Sequence, residues 1–416
     1  MLRPPSNPVP IRSISQCLHP RITKRCHFVL SSDVSLEHQT CDMLSLRYYA
    51  AKMHARGFIK KPSNYCSPRF IGVNGGIIQI NTNKKGANKM KKSINAPIIF
   101  LVSLVLLTGC SLKYNLNPPI NSTAEYEQAT KKQNIIYVYD NRQDKKFLKG
   151  MTGLASVNLD IGNVDDPVTW LSQSLEKEFL SHNISVKFTR DDSLKSSAGA
   201  ILTVNKYQII NSRTSGFHPY VAYHYFSGTI KDSNSDESIL SYFVYGKTPV
   251  WSMDEVQAPC FDMPAAILIK EIAAKVNRFA LHYRMNDSQL SKLNQTTKEK
   301  ISSAASDAYL SVLEIGQSNN PKAIDYLKQF SENSDTLIRA CSLSGFGMIG
   351  QKDTLDFLKD KYTKYIDIDR FMALKSIGDI GTPEAMQFLK DARNDPQYNS
   401  EYGFKFVVDL YLDSAQ

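Results

Sequence analysis

The chain has 416 residues, a formal net charge of +10 and an ordinary apolar share of 42%. The basic excess sits at the front: residues 1–89 carry 14 Lys/Arg and three Asp/Glu, whereas the chain from Cys110 onward carries 34 and 37. A body this close to neutral, and slightly acidic, gives no electrostatic case for binding nucleic acid. The seven cysteines form no CxxC pair or Cys/His cluster with metal spacing.

Residues 1–89 show no sustained helical or strand period and read as an over-extended N-terminal stretch outside the working protein, with translation starting at Met90. Met90-Lys91-Lys92 followed by the apolar run Ala96–Leu107 has the layout of a secretory signal over 90–109. The alternative, an uncleaved span over 96–110, falls short of the roughly 20 apolar residues a bilayer requires. The segment ends Leu107-Thr108-Gly109-Cys110-Ser111, which resembles the lipobox of bacterial lipoproteins. That resemblance implies cleavage between Gly109 and Cys110, lipidation of the Cys110 thiol, and stable anchoring once two or more acyl chains are present. Ser111 in place of Asp after the cysteine resembles the enterobacterial sorting pattern for the outer membrane, facing the periplasm. Polar residues 110–133 read as a tether.

A domain is expected over 134–285. Ile135–Tyr139 reads as a strand stopped by Asp140-Asn141. Asp165 or Asp166 can cap a helix with Pro167 in its first turn, Leu171, Leu175 and Phe179 on one face, and Asn183 at its stop. Strands are expected at Ile184–Thr189, Ala200–Ile210, Tyr220–Ile230 and Ile239–Tyr245, then a helix at Ala265–Leu281. This order predicts α+β architecture with a mostly antiparallel sheet. The turn Asp140-Asn141-Arg142, followed by a helix and a strand ladder, resembles YajG-like and ABC-transport auxiliary envelope lipoproteins, which implies an accessory component, not an enzyme. In the run Phe217–Phe226, His218, Tyr220, His224 and Phe226 share one strand face. They form either an aromatic platform for a sugar or partner or, on the favoured reading, amphipathic side chains at a sheet surface. Cys260 and Cys341 could pair in an oxidising compartment, but two buried free thiols are the favoured reading.

After a linker over 286–303, residues 304–416 repeat with a period of 31. Arg339 aligns with Arg370, Leu343 with Leu374, Gly347 with Gly378, and Gly350 with Gly381. Three units share the columns Ile324/Leu355/Met386, Tyr326/Phe357/Phe388, Leu327/Leu358/Leu389 and Lys328/Lys359/Lys390. Each unit reads as two helices joined by a glycine turn. The run Arg370 to Leu389, with Gly378-Asp379-Ile380-Gly381-Thr382-Pro383-Glu384 at its centre, resembles HEAT repeats in the short form also seen in phycobilisome lyase-like proteins. Glu401–Leu412 reads as a truncated unit or cap. The expected architecture is therefore an α+β domain followed by a short all-α HEAT-like solenoid.

No GxSxG, HExxH, P-loop or dinucleotide-binding fingerprint occurs, and no catalytic residue, metal site or cofactor is assigned. The expected function is a non-catalytic, membrane-anchored envelope lipoprotein whose repeats hold an unknown protein partner. The alternatives are an enzyme or lyase-like maturation factor that grips a protein substrate, or a small-ligand carrier. The column Lys328, Lys359 and Lys390 is the candidate partner contact. Solvation of an exposed helix face is its plainer explanation.

Overall fold

The computed structural model describes residues 112–120, 126, 133–152, 159–213 and 218–414. A mixed β-sheet region comes first and an all-helical part follows. Strand β1 (Leu112–Tyr114) pairs in parallel with β4 (Leu159–Ile161), apart from the main sheet. The main sheet contains β2 (Asn134–Asp140), β3 (Leu148–Thr152), β5 (Val186–Thr189), β6 (Ala200–Arg213), β7 (Tyr220–Lys231) and β8 (Asp236–Lys247). Its order is β5-β2-β6-β7-β8, and β3 also pairs with β6.

The sheet is mixed: its two longest ladders are antiparallel as expected, but the pairings made by β2 and β3 are parallel. Strand β2 runs parallel to both β5 and the first half of β6, and β3 runs parallel to the second half of β6. Only the β6-β7-β8 meander is antiparallel. The reason lies in helix α1 (Pro167–Ser181), which intervenes between β2 and β5 and returns the chain to the same end of the sheet, as parallel pairing requires. Asp166 caps α1 by accepting from the Val168 N–H at 3.2 Å, with Pro167 in the first turn. Its face of Val168, Leu171, Leu175 and Phe179 is buried, and the chain leaves through Asn183 at a φ of 60°.

Helix α2 (Met263–Val276) is buried along nearly its whole length. Residues 286–303, read as a linker, hold helix α3 (Asp287–Ser302), whose Leu290 and Leu293 are buried. Then follow α4 (Ala308–Gln317), α5 (Ala323–Phe330), α6 (Thr336–Ile349), α7 (Leu355–Lys364), α8 (Asp367–Ile380), α9 (Pro383–Ala392), α10 (Pro396–Ser400) and α11 (Tyr402–Ser414). Gly350 and Gly381 end α6 and α8 at φ of 68° and 65°, the left-handed turn expected of them. Helices α4, α6, α8 and α11 pack side by side, with α5, α7 and α9 against them. Close approach between α4 and α6 needs glycine: a Cβ on Gly316 would lie 2.6 Å from the Gly345 Cα.

The helical part wraps the β8 edge of the sheet. On one face Ser241 of β8 donates to Glu271 of α2, and α2 in turn packs on α4 and α6. On the other face the Tyr242 hydroxyl donates to the Gly403 carbonyl of α11 at 3.3 Å. One apolar cluster accordingly runs from Tyr242 and Phe243 through Leu313, Leu343 and Leu374 to Val408.

Candidate functional site

Gly109 and Cys110, with the rest of the signal segment and residues 1–89, lie outside the described residues. The Asp140-Asn141-Arg142 turn lies within them and is tightly held. Buried Arg142 donates to Asp140 from Nε at 2.9 Å and from Nη2 at 3.1 Å, and approaches the helix-capping Asp166 at 3.9 Å. Burial alone would raise the Asp140 pKa, but the Arg142 bonds outweigh it and bring it down to about 2. This arginine fastens the end of β2 to the start of α1.

The three lysines of the repeat column stand at matching points of α5, α7 and α9. Lys328 and Lys390 are exposed, and Lys359 is half-buried. The Lys328 ammonium lies 5.7 Å from the ring centre of Phe357, one unit ahead, and Lys359 lies 5.8 Å from that of Phe388. Lys359 also pairs with Glu384. Two columns of the repeat therefore meet across units, a lysine of one over the aromatic ring of the next. The 31-residue spacing displays both columns without revealing that they touch.

A second cluster lies at the heart of the molecule. Lys375 of α8 pairs with Glu271 of α2, and both side chains are fully buried. Ser344 of α6 donates to the same carboxylate and accepts from Lys375 at 2.6 Å. Nearby, buried Lys275 pairs with Asp379 at 2.5 Å, and the Tyr411 hydroxyl donates to Asp379 at 2.6 Å. Burial pushes the Lys275 pKa down, against the pull of Asp379. On the far side of α2, Lys270 pairs with Glu178 at 2.7 Å. A serine beside a lysine can serve nucleophilic chemistry, but Ser344 and Lys375 are each 0% exposed and wholly engaged with one another and Glu271. They tie the repeat helices to α2. The only sequence signal was charge inside apolar runs, Lys270-Glu271 within Ile267–Ala274 and Lys375 within Ala373–Ile377.

Exposed His218 lies before β7 begins and does not join the expected face, and the part of that face within β7 is neither a platform nor a sheet surface. Tyr220, His224 and Phe226 are buried at 1%, 1% and 0% exposure, because the face they share lies under the segment around Cys260 and Phe261 and under α2. Burial lowers the His224 pKa to about 4, opposed in part by its 2.8 Å hydrogen bond to the Cys260 carbonyl. Cys260 and Cys341 are both free and buried. Among the described residues no group of three or more His, Cys, Asp or Glu is placed to hold a metal ion.

An open concavity of about 400 Å³ lies where α11 leaves the opposite face of the sheet. Its walls are Lys206, Gln208 and Tyr225 from β6 and β7, the segment around Asp144, and α11. On α11 the residues Tyr402, Lys405/Phe406, Asp409/Leu410 and Asp413 recur every three to four positions and so share a stripe. That periodicity is present in the sequence, in and just after the stretch Glu401–Leu412 read as a truncated unit or cap.

No family model and no curated protein matches the chain. Among solved structures, the hypothetical protein CT253 from Chlamydia trachomatis aligns over 36% of this chain and 98% of its own, at 8% identity and a TM-score of 0.21.

Proposed function

We propose that the chain is a non-catalytic lipoprotein of the bacterial cell envelope, held to a membrane by lipid on Cys110 and facing the periplasm, with a HEAT-like helical stack that docks a protein partner. The observation that carries the non-catalytic reading is the burial of Ser344, Lys375 and Glu271, which leaves that polar cluster closed to any substrate. The helical stack supports the docking reading by its two layers. Its first helices are enclosed between α2, the sheet and the second helices, whereas α5, α7 and α9 keep a polar outer face that carries Lys328, Lys359 and Lys390. A partner of the stack therefore meets the second helices, since the chain's own α2 and β8 occupy the side of the first.

Cell fractionation with palmitate labelling tests the anchor. Cys110→Ala should abolish labelling and release the chain from the membrane fraction, and unchanged labelling would refute it. Crosslinking in intact cells tests the docking face. Reversing Lys328, Lys359 and Lys390 to Glu should remove captured partners, and capture at normal yield would mean that the column only solvates and braces the stack.

A further inference from the structure

We propose that the groove between α11 and the β6-β7 face binds a neutral oligosaccharide. This inference is independent of the docking reading, since no residue of α5, α7 or α9 lines the groove. Its volume, about 400 Å³, falls in the range of roughly 300–1,000 Å³ common to small-ligand sites. The floor is aromatic: Phe406 packs edge-on against Tyr225 at 4.5 Å and beside Tyr402 at 5.9 Å. Tyr402 remains 42% exposed, although Tyr223 supports it edge-on at 5.1 Å. A supported yet open ring of this kind offers a flat apolar face to a ligand.

The rim decides the ligand class. Three lysines (Lys149, Lys206 and Lys405) and three aspartates (Asp144, Asp409 and Asp413) line the groove, so its net charge is balanced. Several are already engaged: Asp144 pairs with Lys149, and Asp409 accepts from Tyr398 at 2.7 Å and Arg393 at 3.2 Å. Lys206 and Asp413 hold no ion pair among the described residues. A polyanion meets three carboxylates here, and an acyl chain would strip water from charged groups with nothing to replace it. An extended peptide added as a strand needs an open sheet edge, yet the groove meets the sheet by its face, and β6 is paired on both sides. A polyhydroxylated ring satisfies the site. Its C–H face stacks on Tyr402, its hydroxyls donate to Asp413, and they accept from Lys206. No net charge is brought in.

Isothermal titration of the purified full chain with maltotriose and with chitotriose tests this, with saturable binding of at least one expected. Tyr402→Ala should weaken that binding about tenfold, close to 1.4 kcal/mol, and Tyr402→Phe, which keeps the ring, should restore it. Lys206→Ala and Asp413→Asn, both exposed positions on opposite walls, should each weaken binding without shifting the unfolding midpoint, which keeps the test open if Tyr402→Ala misfolds. Absence of saturable binding by both sugars up to about 10 mM, a limit already weaker than millimolar affinity, overturns the proposal. So does unchanged affinity in the folded variants. Saturable binding of a short neutral peptide that neither sugar displaces would assign the groove to peptides and overturn it equally.

Discussion

The two helical layers of the C-terminal part carry the same 31-residue repeat but live in different surroundings. All ten residues of α4 are buried, whereas in α5 only Ala323, Ile324, Leu327 and Phe330 are. The second helices are one-sided, as a stacking repeat requires. The first helices are covered twice, by their own second helices and by α2 and the sheet. A residue that would face water in a free-standing array is thereby enclosed, and Ser344, Lys375 and Asp379 show how the fold accommodates polarity there. Each is bound to a partner from outside its own helix. The difference shows that these helices are built around α2 and the sheet.

The sharpest way to break that arrangement is to remove one side of its buried charge. Glu271→Ala leaves the Lys375 ammonium sealed without a counter-charge and should destabilise by about 3–5 kcal/mol. Replacing both, Glu271→Leu with Lys375→Met, should recover most of the loss. Urea unfolding measures both, and a single-variant effect below about 1 kcal/mol would mean that water reaches the pair.

Next in size is the second layer. Leu358 of α7 is 0% exposed, and Leu358→Ala should cost about 2–5 kcal/mol. A loss under about 0.5 kcal/mol, the level of surface positions, would dissolve the distinction between a buried edge and a polar face.

A third effect comes from the sheet side. His224 titrates at about 4 in the fold, below its ordinary 6.5. The unfolded chain therefore takes up a proton first as pH falls. The stability this histidine contributes is whole above about pH 6.5 and is lost between there and pH 4. The full loss is about 3 kcal/mol, since each tenfold drop in proton affinity on folding is worth about 1.4 kcal/mol. His224→Asn should flatten the slope of unfolding midpoint against pH across that window, and a slope equal to that of the parent chain would place the titration elsewhere.

The smallest expected effect is the lysine–aromatic contact between units. Lys328→Gln should lose about 0.5–1 kcal/mol, the scale of an exposed cation–π contact, and Phe357→Leu should lower the effect of Lys328→Gln in a double-mutant cycle. Strict additivity of the two would show that the column is solvation alone.

The local elements were legible because local chemistry sets them. The Asp166 cap, the Leu171/Leu175/Phe179 stripe and the glycine turns at 350 and 381 depend on neighbours within a few residues, and the β6-β7-β8 ladder joins strands that follow one another in the chain. The 31-residue period was legible for the same reason. Tertiary structure alone decided the rest. Whether β2 runs parallel or antiparallel to its neighbours depends on which strands it meets, and Asn134–Asp140 has the same alternating side chains either way. That Tyr220, His224 and Phe226 are enclosed while Tyr402 stays open depends on how α2 and α11 divide the two faces of the sheet. Glu271 and Lys375 lie 104 residues apart, and neither marks its partner in the sequence. A charge in an apolar helix announces that it needs a counter-charge, but only the packing of α2 against α6 and α8 determines which one it finds.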